Sequence, residues 1–237
     1  PITQHGWANG LAVHNCVEFV HQPYTSCNLS SLNLPKFLKL DNESFDWEHF
    51  NEVVNIMAIA QDICISGGEF PTEQITIQSS KYRPIGLGFT GLGELLMLMG
   101  RAYDSDDARH LAASVSSALT AQAYITSASL AKRLGAFPAY EANKKHMLKV
   151  LRQHIEATTF LHPVGLDLDA QWSMVVARTA GFGLRNSYVS NIAPTGTISF
   201  FMDAATTGIE PELALLKHKQ LVGGGTLSYP ATTLIRS

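Results

Sequence analysis

Residues 190–199 read SNIAPTGTIS, and this stretch decides both the fold class and the candidate site that the sequence predicts. The apolar run over 187–193 is typical of a short buried strand, and Pro194 and Gly196 mark a tight turn directly after it. Thr197 then begins the next element, which we expect to be a helix. A turn that leads from a strand into a helix presents free backbone N–H groups and the positive end of the helix to an anion.

This turn has two interpretations. In the first, it binds a phosphate, and the hydroxyls of Thr195, Thr197 and Ser199 add donors without requiring a lysine. In the second, it is only a capped helix after a buried strand. On the first interpretation the candidate phosphate-binding residues are Pro194, Thr195, Gly196 and Thr197.

Helical patterns on the N-terminal side of this stretch give the fold class. Asp46 is typical of an N-cap before an apolar pattern of helical period, and Asp106 of an N-cap before a long helix whose many small residues suit tight packing. The glycine-rich apolar run over 85–100 predicts a further helix, buried and closely packed. Helices separated by short apolar strands indicate an α/β architecture. The other predicted helices span 46–67, 106–135, 141–156 and 168–180.

Composition and charge exclude several classes of protein. The 237 residues carry a net charge of -3 and no block of lysine and arginine, which argues against a nucleic-acid-binding surface. No stretch reaches the roughly 18 apolar residues of a membrane span, and the first residues lack the pattern of a signal peptide. Three cysteines without disulfide or zinc spacing predict a cytoplasmic protein with reduced thiols. Because residue 1 is Pro1 and not methionine, we expect a piece of a longer protein.

The string GLGFTG at 86–91 matches the fingerprint of dinucleotide-binding folds. That fingerprint needs a core strand before it, and the preceding residues 81–84, KYRP, are a poor one. Further glycines follow at Gly93 and Gly100. We therefore interpret these glycines as close helix packing and predict no dinucleotide site.

Two of the cysteines are candidates for chemistry. Cys16 and Glu18 place a thiol and a carboxylate two residues apart, on the same side of an extended segment. Such a carboxylate can exchange protons with a substrate but disfavours a thiolate, which argues against an ordinary cysteine nucleophile. Cys27 lies too far along the chain for a redox Cys-x-x-Cys pair, and Cys64 is expected to be a small core residue of the first predicted helix. The nine histidines lack zinc-site spacing, so no metal site is predicted.

Several blocks together resemble the catalytic subunit of the ribonucleotide reductase family. In chain order they read CNLSSLNL at 27–34, RPIGLG at 83–88, YDSD at 103–106, SNIAPTGTIS at 190–199 and TGIEP at 207–211. They follow the family's order and cover about residues 16–225. The features Met202-Asp203 and Gly223-Gly224-Gly225 resemble most the adenosylcobalamin-dependent class.

The resemblance implies a fold and an activity. The fold is part of a ten-stranded α/β barrel, here a helix-rich fragment. The reaction is thiyl-radical reduction of ribonucleoside diphosphates or triphosphates to deoxyribonucleotides for DNA synthesis. Cys16 corresponds to the thiyl radical that takes the 3′ hydrogen of the ribose, Glu18 to the general base for the 3′-hydroxyl proton, and Cys27 to one of two reducing thiols. The turn at 194–197 would hold the substrate phosphates.

The resemblance also implies a cofactor and partners. Adenosylcobalamin is the expected cofactor, and no residue that binds it is identifiable in this chain. The expected partners are a ribonucleotide substrate and an external thiol reductant such as thioredoxin, and the family is compatible with a homodimer. No membrane and no direct nucleic-acid contact is expected. The second reducing thiol is expected upstream of this chain, so the fragment alone should be inactive.

One departure from the family lies directly before the radical cysteine. The family reads Asn-Pro-Cys-x-Glu there, but His14 and Asn15 precede Cys16. Residues 5–15, HGWANGLAVHN, instead resemble the C-terminal end of an intein. In inteins the final asparagine cyclises with help from the penultimate histidine, and the following cysteine receives the upstream extein. His14, Asn15 and Cys16 are therefore candidate splicing residues, with an upstream extein or intein half as partner.

These resemblances divide the chain into three parts. Residues 1–15 are expected to be an intein remnant, residues 16–225 a partial reductase barrel, and residues 226–237 a divergent tail. The alternative function is that of a protein-splicing precursor, whose own chemistry is cleavage at the Asn15–Cys16 bond.

Overall fold

The computed structural model describes residues 5–8, 11–14, 22–39, 44–161, 165–214, 216–220 and 222–230. Of the residues singled out above, Asn15, Cys16 and Glu18 lie outside these ranges, and His14 is described by its backbone alone.

Helices account for most of the described chain. They are α1 (Trp47–Gly67), α2 (Glu73–Tyr82), α3 (Leu92–Leu98), α4 (Asp106–Leu134), α5 (Tyr140–Thr158), α6 (Leu168–Phe182) and α7 (Ile198–Phe201), with a 3-10 helix over Leu34–Phe37. None of the helices in the described ranges is long and apolar enough to cross a membrane.

In the part of the chain that the structure describes, the strands form three two-stranded sheets. They are β1 (His5–Ala8), β2 (Leu11–His14), β3 (Leu29–Asn33), β4 (Gly86–Thr90), β5 (Leu216–Gln220) and β6 (Thr226–Pro230). The sheets pair β1 with β2, β3 with β4 and β5 with β6, and the first and last pairs are antiparallel. Within the described ranges the strands do not close into a barrel. What this chain shows directly of the expected fold is a helix-rich α/β fragment.

The chain divides into two compact units. Unit 1 comprises residues 1–30, 47–88 and 110–192, and unit 2 comprises residues 31–46, 89–109 and 193–237. The core of unit 1 contains α4, whose small residues Ala118, Ala121 and Ser127 are fully buried. These small side chains allow the close helix packing that the sequence predicts.

Four of the predicted helices are confirmed almost to their ends. Predicted spans 46–67 and 106–135 correspond to α1 and α4, and predicted spans 141–156 and 168–180 correspond to α5 and α6. The cap of α4 differs, because the Ser105 hydroxyl, not Asp106, accepts a hydrogen bond from the backbone N–H of Ala108 at 3.2 Å. Helix α2 was not predicted, although the Thr72 hydroxyl caps it by accepting from the N–H of Ile75.

The prediction for residues 85–100 was wrong in its first half. Residues Gly86–Thr90 form strand β4, which is buried at every position, and only Leu92–Leu98 is helical. Gly91, at φ +78°, makes the turn between them. A run of glycine and apolar residues has no period that separates a buried strand from a buried helix, so the sequence could not place this boundary.

The predicted strand over 187–193 is present only as an extended segment. Leu87 and Ser190 form a single parallel bridge. The N–H groups of Ile85 and Leu87 donate to the carbonyls of Tyr188 and Val189, and the N–H of Asn191 donates to the carbonyl of Leu87. The segment therefore lies beside β4 as a strand would, but it is too briefly paired to be a regular one.

Candidate functional site

The turn at Pro194–Thr197 has an unusual backbone conformation. Thr195 has a φ of +53°, in the left-handed region that a β-branched residue rarely adopts. Such a conformation costs about 1–3 kcal/mol and persists only where the surroundings fix it. Thr197 follows as the N-cap position of α7, and the N–H of Ser199 donates to the carbonyl of Thr195 at 3.0 Å.

The Thr195 side chain is fixed by a buried cluster of three hydroxyls, which we call the hydroxyl cluster. It consists of Thr90, Thr195 and Ser199, which are 0%, 8% and 1% exposed. The Oγ1 atoms of Thr90 and Thr195 are 2.9 Å apart, and the Oγ of Ser199 lies 2.7 Å from the first and 2.9 Å from the second. Thr195 also donates to the carbonyl of Pro194 at 2.8 Å. The hydroxyl of Thr195 is therefore turned inward, toward protein.

A second loop of unit 2 closes over the hydroxyl cluster. The N–H of Gly208 donates to the Oγ1 of Thr195 at 2.7 Å and of Thr90 at 2.9 Å. The Oγ1 of Thr90 also lies 3.3 Å from the carbonyl oxygen of Thr206. A Cβ at Gly208 would lie 2.8 Å from the carbonyl oxygen of Ala193, so only glycine fits this approach. The loop and the turn thus share one set of buried hydrogen bonds.

The outer side of the turn has a different character. Gly196 and Thr197 are exposed, and neither donates a hydrogen bond to another residue in the ranges that the structure describes. Exposed backbone N–H groups of this kind can bind the oxygens of a phosphate. The turn therefore combines a fixed inner side with donors on its outer side.

A buried carboxylate lies at the start of α3 in the same unit. Glu94 is 8% exposed, and its Oε2 accepts from the N–H of Ala205 at 2.7 Å. The N–H of Glu94 donates to the hydroxyl of Thr206 at 3.1 Å. Burial, opposed by the Ala205 hydrogen bond and reinforced by the charge of Asp203, raises the pKa of Glu94. No motif or periodic pattern in the sequence singles out this carboxylate.

Cys27 belongs to unit 1 and is exposed. Its neighbours on both sides are anchored, because the N–H of Ser26 donates to the hydroxyl of Ser79 at 2.8 Å and the carbonyl of Asn28 accepts from the N–H of Gly86 at 2.9 Å. Burial first, and the negative charge of Cys27 second, raise the pKa of the Tyr188 phenol. Cys27 is therefore an accessible thiol on a fixed backbone, with a phenol close by.

Glycines of β4 allow the segments beside this thiol to approach closely. A Cβ at Gly86 would lie 2.5 Å from the Leu29 side chain and 3.0 Å from the amide oxygen of Asn191. A Cβ at Gly88 would lie 2.6 Å from the carbonyl oxygen of Asn191. The glycine string that matched a dinucleotide fingerprint thus forms a buried, closely packed strand and ends at Gly91, the N-cap of α3.

Unit 1 also holds a buried charged cluster, which we call the Asp62 cluster. Asp62 is 3% exposed and Arg83 is 5% exposed. The Asp62 carboxylate accepts from the Nε of Arg83 and the Nδ2 of Asn186, both at 2.9 Å, and from the Nε of Arg185 at 3.4 Å. Nothing in the local sequence pattern pointed to this cluster.

Cys64 differs from its predicted place. Cys64 is exposed on α1, so its expected place in the core was wrong. It lies between the buried positions Gln61 and Ile65, on the side of the helix that faces away from the core. Within the described ranges no group of three or more histidine, cysteine, aspartate or glutamate side chains could hold a metal ion.

Comparison with known proteins identifies the family. The family described as ribonucleotide reductase, barrel domain, matches residues 12–237. A vitamin B12-dependent ribonucleotide reductase of Streptomyces coelicolor is 43% identical over 222 residues, which are 90% of this chain and 23% of that relative. The corresponding protein of Rhodopirellula baltica is 42% identical over 221 residues, or 91% of this chain and 21% of that relative.

A vitamin B12-dependent ribonucleoside-diphosphate reductase of Mycobacterium tuberculosis is more distant. It is 31% identical over 212 residues, which are 90% of this chain and 25% of that relative. The chain thus spans about a fifth to a quarter of the length of these relatives. Since the family match covers nearly the whole chain, this chain belongs to the ribonucleotide reductase family, as part of its barrel domain.

Proposed function

We propose that this chain is part of the catalytic barrel of an adenosylcobalamin-dependent ribonucleotide reductase. The observation that carries the proposal is the 43% identity, over nine-tenths of the chain, to a protein named a vitamin B12-dependent ribonucleotide reductase. In the whole enzyme the barrel would have ten strands. The reaction would reduce ribonucleoside diphosphates or triphosphates to deoxyribonucleotides.

Each proposed role belongs to a side chain or a turn of this chain. Cys16, as a thiyl radical, takes the 3′ hydrogen of the ribose, and Glu18 accepts the proton of the 3′-hydroxyl. Cys27 and a second thiol outside this chain deliver the two electrons that reduce the 2′ carbon, and they become a disulfide as water leaves. The exposure and fixed backbone of Cys27 suit a thiol that an external reductant such as thioredoxin must reach.

The turn Pro194–Thr197 is proposed to hold the substrate phosphates. Its exposed positions Gly196 and Thr197 supply backbone donors, and no lysine is needed for such a site. Because the inward hydroxyl of Thr195 is already engaged, we assign phosphate binding to backbone N–H groups and the hydroxyl of Thr197.

Adenosylcobalamin, when bound, supplies the radical chemistry of this class. No residue of the described ranges is assigned to it, and a homodimer and a cytoplasmic location remain further parts of the proposal. The proposed division of the chain places the reductase part at 16–225, an intein remnant at 1–15 and a divergent tail at 226–237.

A chimaeric enzyme tests the proposal. Residues 16–225 of this chain would replace the matching segment of the Streptomyces coelicolor relative, and deoxyribonucleotide formation would be measured with adenosylcobalamin and a thioredoxin system. We expect activity in the chimaera, and no deoxyribonucleotide after either Cys16→Ser or Cys27→Ser.

Cys64→Ser is the matched control, because Cys64 is also an exposed thiol of unit 1 but has no proposed role. It should keep full activity. A folded chimaera without activity, or sustained turnover after Cys27→Ser, would contradict the proposal. The isolated chain should form no deoxyribonucleotide under the same conditions.

A second candidate function concerns the N-terminal hairpin. Strands β1 and β2 pair antiparallel, with His5 opposite His14, and β2 ends directly before Asn15. The two residues between the strands are Asn9 and Gly10, a sequence typical of a two-residue hairpin connection. We propose that this hairpin is an intein end that promotes cyclisation of Asn15 and cleavage of the Asn15–Cys16 bond.

Mass spectrometry of the coexpressed upstream half and this chain tests this second proposal. We expect a ligated product that begins its downstream part at Cys16, and we expect Asn15→Ala to abolish it. His49→Ala, at an exposed position of helix α1, is the control for loss of a histidine and should not change the yield. An intact Asn15–Cys16 bond in every preparation would rule out splicing.

A further inference from the structure

We propose that Thr90 is a positioning residue for the phosphate-binding turn, and that its buried hydroxyl holds Thr195 in the left-handed conformation that aims the Gly196 and Thr197 donors at the substrate. This inference rests on the proposed function of the turn. Thr90 itself is fully buried, so it would act through Thr195 and not directly on the substrate.

The conformation of Thr195 needs such an anchor. Its φ of +53° is strained for a side chain branched at Cβ, and an unsupported turn would relax toward a negative φ. Relaxation would rotate the peptide group between Thr195 and Gly196, whose N–H is one of the proposed donors. Whatever fixes Thr195 therefore also fixes the direction of that donor.

Thr90 is suited to be that anchor because it is held by a strand. It is the last residue of β4, and its Oγ1 reaches three separate partners of unit 2. These are the Thr195 hydroxyl at 2.9 Å, the Ser199 hydroxyl at 2.7 Å and the N–H of Gly208 at 2.9 Å. One hydroxyl thus ties the turn, the start of α7 and the loop at 206–208 to the sheet.

The three hydroxyl protons can be placed so that Thr90 is hydrogen-bonded to both other hydroxyls. Ser199 donates to Thr90, Thr90 donates to Thr195, and Thr195 donates to the carbonyl of Pro194. The N–H of Gly208 donates to the Oγ1 atoms of Thr90 and Thr195. Every hydroxyl proton has an acceptor, and a valine at position 90 would keep the shape of the side chain while removing one donor and one acceptor.

The test measures binding of tripolyphosphate, which has neither base nor sugar, to the chimaeric enzyme by calorimetry. Because binding needs no turnover, it tests the turn even if the chimaera reduces nothing. Loss of one net hydrogen bond predicts that Thr90→Val weakens binding by about three- to tenfold. If the chimaera is active, the KM for the nucleotide should rise by the same factor while kcat changes by less than about twofold.

Two further variants separate positioning from general stability. Thr90→Ser restores the hydroxyl and should restore binding. Thr126→Val is the matched control, because Thr126 is 2% exposed and its hydroxyl donates to Asn55 at 2.9 Å in unit 1. It should lower the melting temperature without changing tripolyphosphate affinity.

A double substitution tests the role of strain itself. Glycine adopts a positive φ without cost, so in a Thr195→Gly background the Thr90→Val exchange should weaken binding by a smaller factor than in the parent. If Thr90→Val does not fold, Ser199→Ala removes the hydroxyl next to it and should weaken binding in the same way.

Three results would overturn the inference. They are absence of tripolyphosphate binding by the unsubstituted chimaera, equal binding by the Thr90→Val variant, and a loss that Thr90→Ser does not reverse. Failure of the proposed function would look different, since it would leave anion binding intact and abolish only deoxyribonucleotide formation.

Discussion

The Asp62 cluster of unit 1 and the hydroxyl cluster of unit 2 use buried polar groups for different ends. The first buries a carboxylate between two guanidinium groups, with Arg83 and Arg185 as partners. The second buries only neutral hydroxyls, around Thr90. Both clusters join residues that are distant in sequence, so both stabilise the fold. The free energy of unfolding that is lost when one member is removed differs between them.

The cost of removing one member indicates which role each cluster suits. Removing one member of a buried ion pair leaves an uncompensated charge, whereas removing one member of a hydroxyl cluster leaves a neutral group that rearranges. The Asp62 cluster therefore makes unit 1 intolerant of change. The hydroxyl cluster can be altered at moderate cost, which suits a group that sets the shape of a binding turn.

The largest expected effect is at Arg83. Arg83→Met leaves the buried Asp62 carboxylate with fewer partners and should lower the free energy of unfolding by about 3–5 kcal/mol. Urea denaturation followed by circular dichroism measures this loss. Arg109→Met is the control, because the Arg109–Asp106 pair is mostly exposed and should contribute no more than about 1 kcal/mol. Equal losses in the two variants would remove the distinction between buried and exposed pairs.

A steric change at Gly88 should have the next largest effect. A Cβ there would meet the carbonyl oxygen of Asn191 at 2.6 Å, and backbone cannot move aside as a flexible side chain can. Gly88→Ala should therefore cost about 1–3 kcal/mol, and it should displace the extended segment that leads to the Pro194 turn. Thermal unfolding measures the cost.

Gly181 offers the matched control for this exchange. It lies in helix α6, and a Cβ there would meet nothing within 4 Å. Gly181→Ala should be neutral or should stabilise the chain by about 0.5–1 kcal/mol, because alanine is the better helix former. A loss at Gly181 as large as that at Gly88 would contradict the steric explanation.

A smaller, pH-dependent effect is expected at His154. Its ring stacks on that of Trp172, with 5.6 Å between the ring centroids. Burial lowers the pKa of His154 from its usual 6.5, so the folded state prefers the neutral ring. Its contribution to stability is present above about pH 6.5 and is lost as the pH falls through 6.5 toward the lower folded value. His154→Phe keeps a stacked ring that cannot be protonated. The variant should lose less stability than the parent between pH 7 and pH 5, and identical pH profiles would exclude His154 as the titrating group.

The sequence predicted the parts of this molecule that local pattern determines. Helix α1 has a helical apolar period, and α4 is a long run rich in small residues that stops before Gly135, so local pattern located the helices within a few residues. Strand β4 was missed because a glycine-rich buried run has no such period.

The same distinction between local pattern and long-range contact applies to the candidate site. The Pro194–Thr197 turn was found as a motif, but its partner Thr90 is 105 residues away, and nothing near Thr90 indicates a contact. The same holds for Asp62, whose partner Asn186 is 124 residues away. Contacts between residues this far apart depend on the three-dimensional fold, and local sequence patterns do not predict them. Cys16 and Glu18 lie outside the described residues, so their roles stay predictions.

The smallest expected effect concerns the buried carboxylate of Glu94 in unit 2. Burial raises the pKa of Glu94 above 4.5, so the folded state favours its protonated form. The resulting stability is fully present below about pH 4.5 and is lost as the pH rises through the folded pKa. Glu94→Gln keeps an oxygen that can accept from the N–H of Ala205 but carries no charge. It should be more stable than the parent at pH 7, and the difference should shrink as the pH falls toward 4.5.

Glu69→Gln, at an exposed position, is the control and should show no such trend. A Glu94→Gln variant less stable than the parent at neutral pH would mean that Lys36 and Lys217 compensate the buried charge, and that unit 2, like unit 1, depends on an ion cluster.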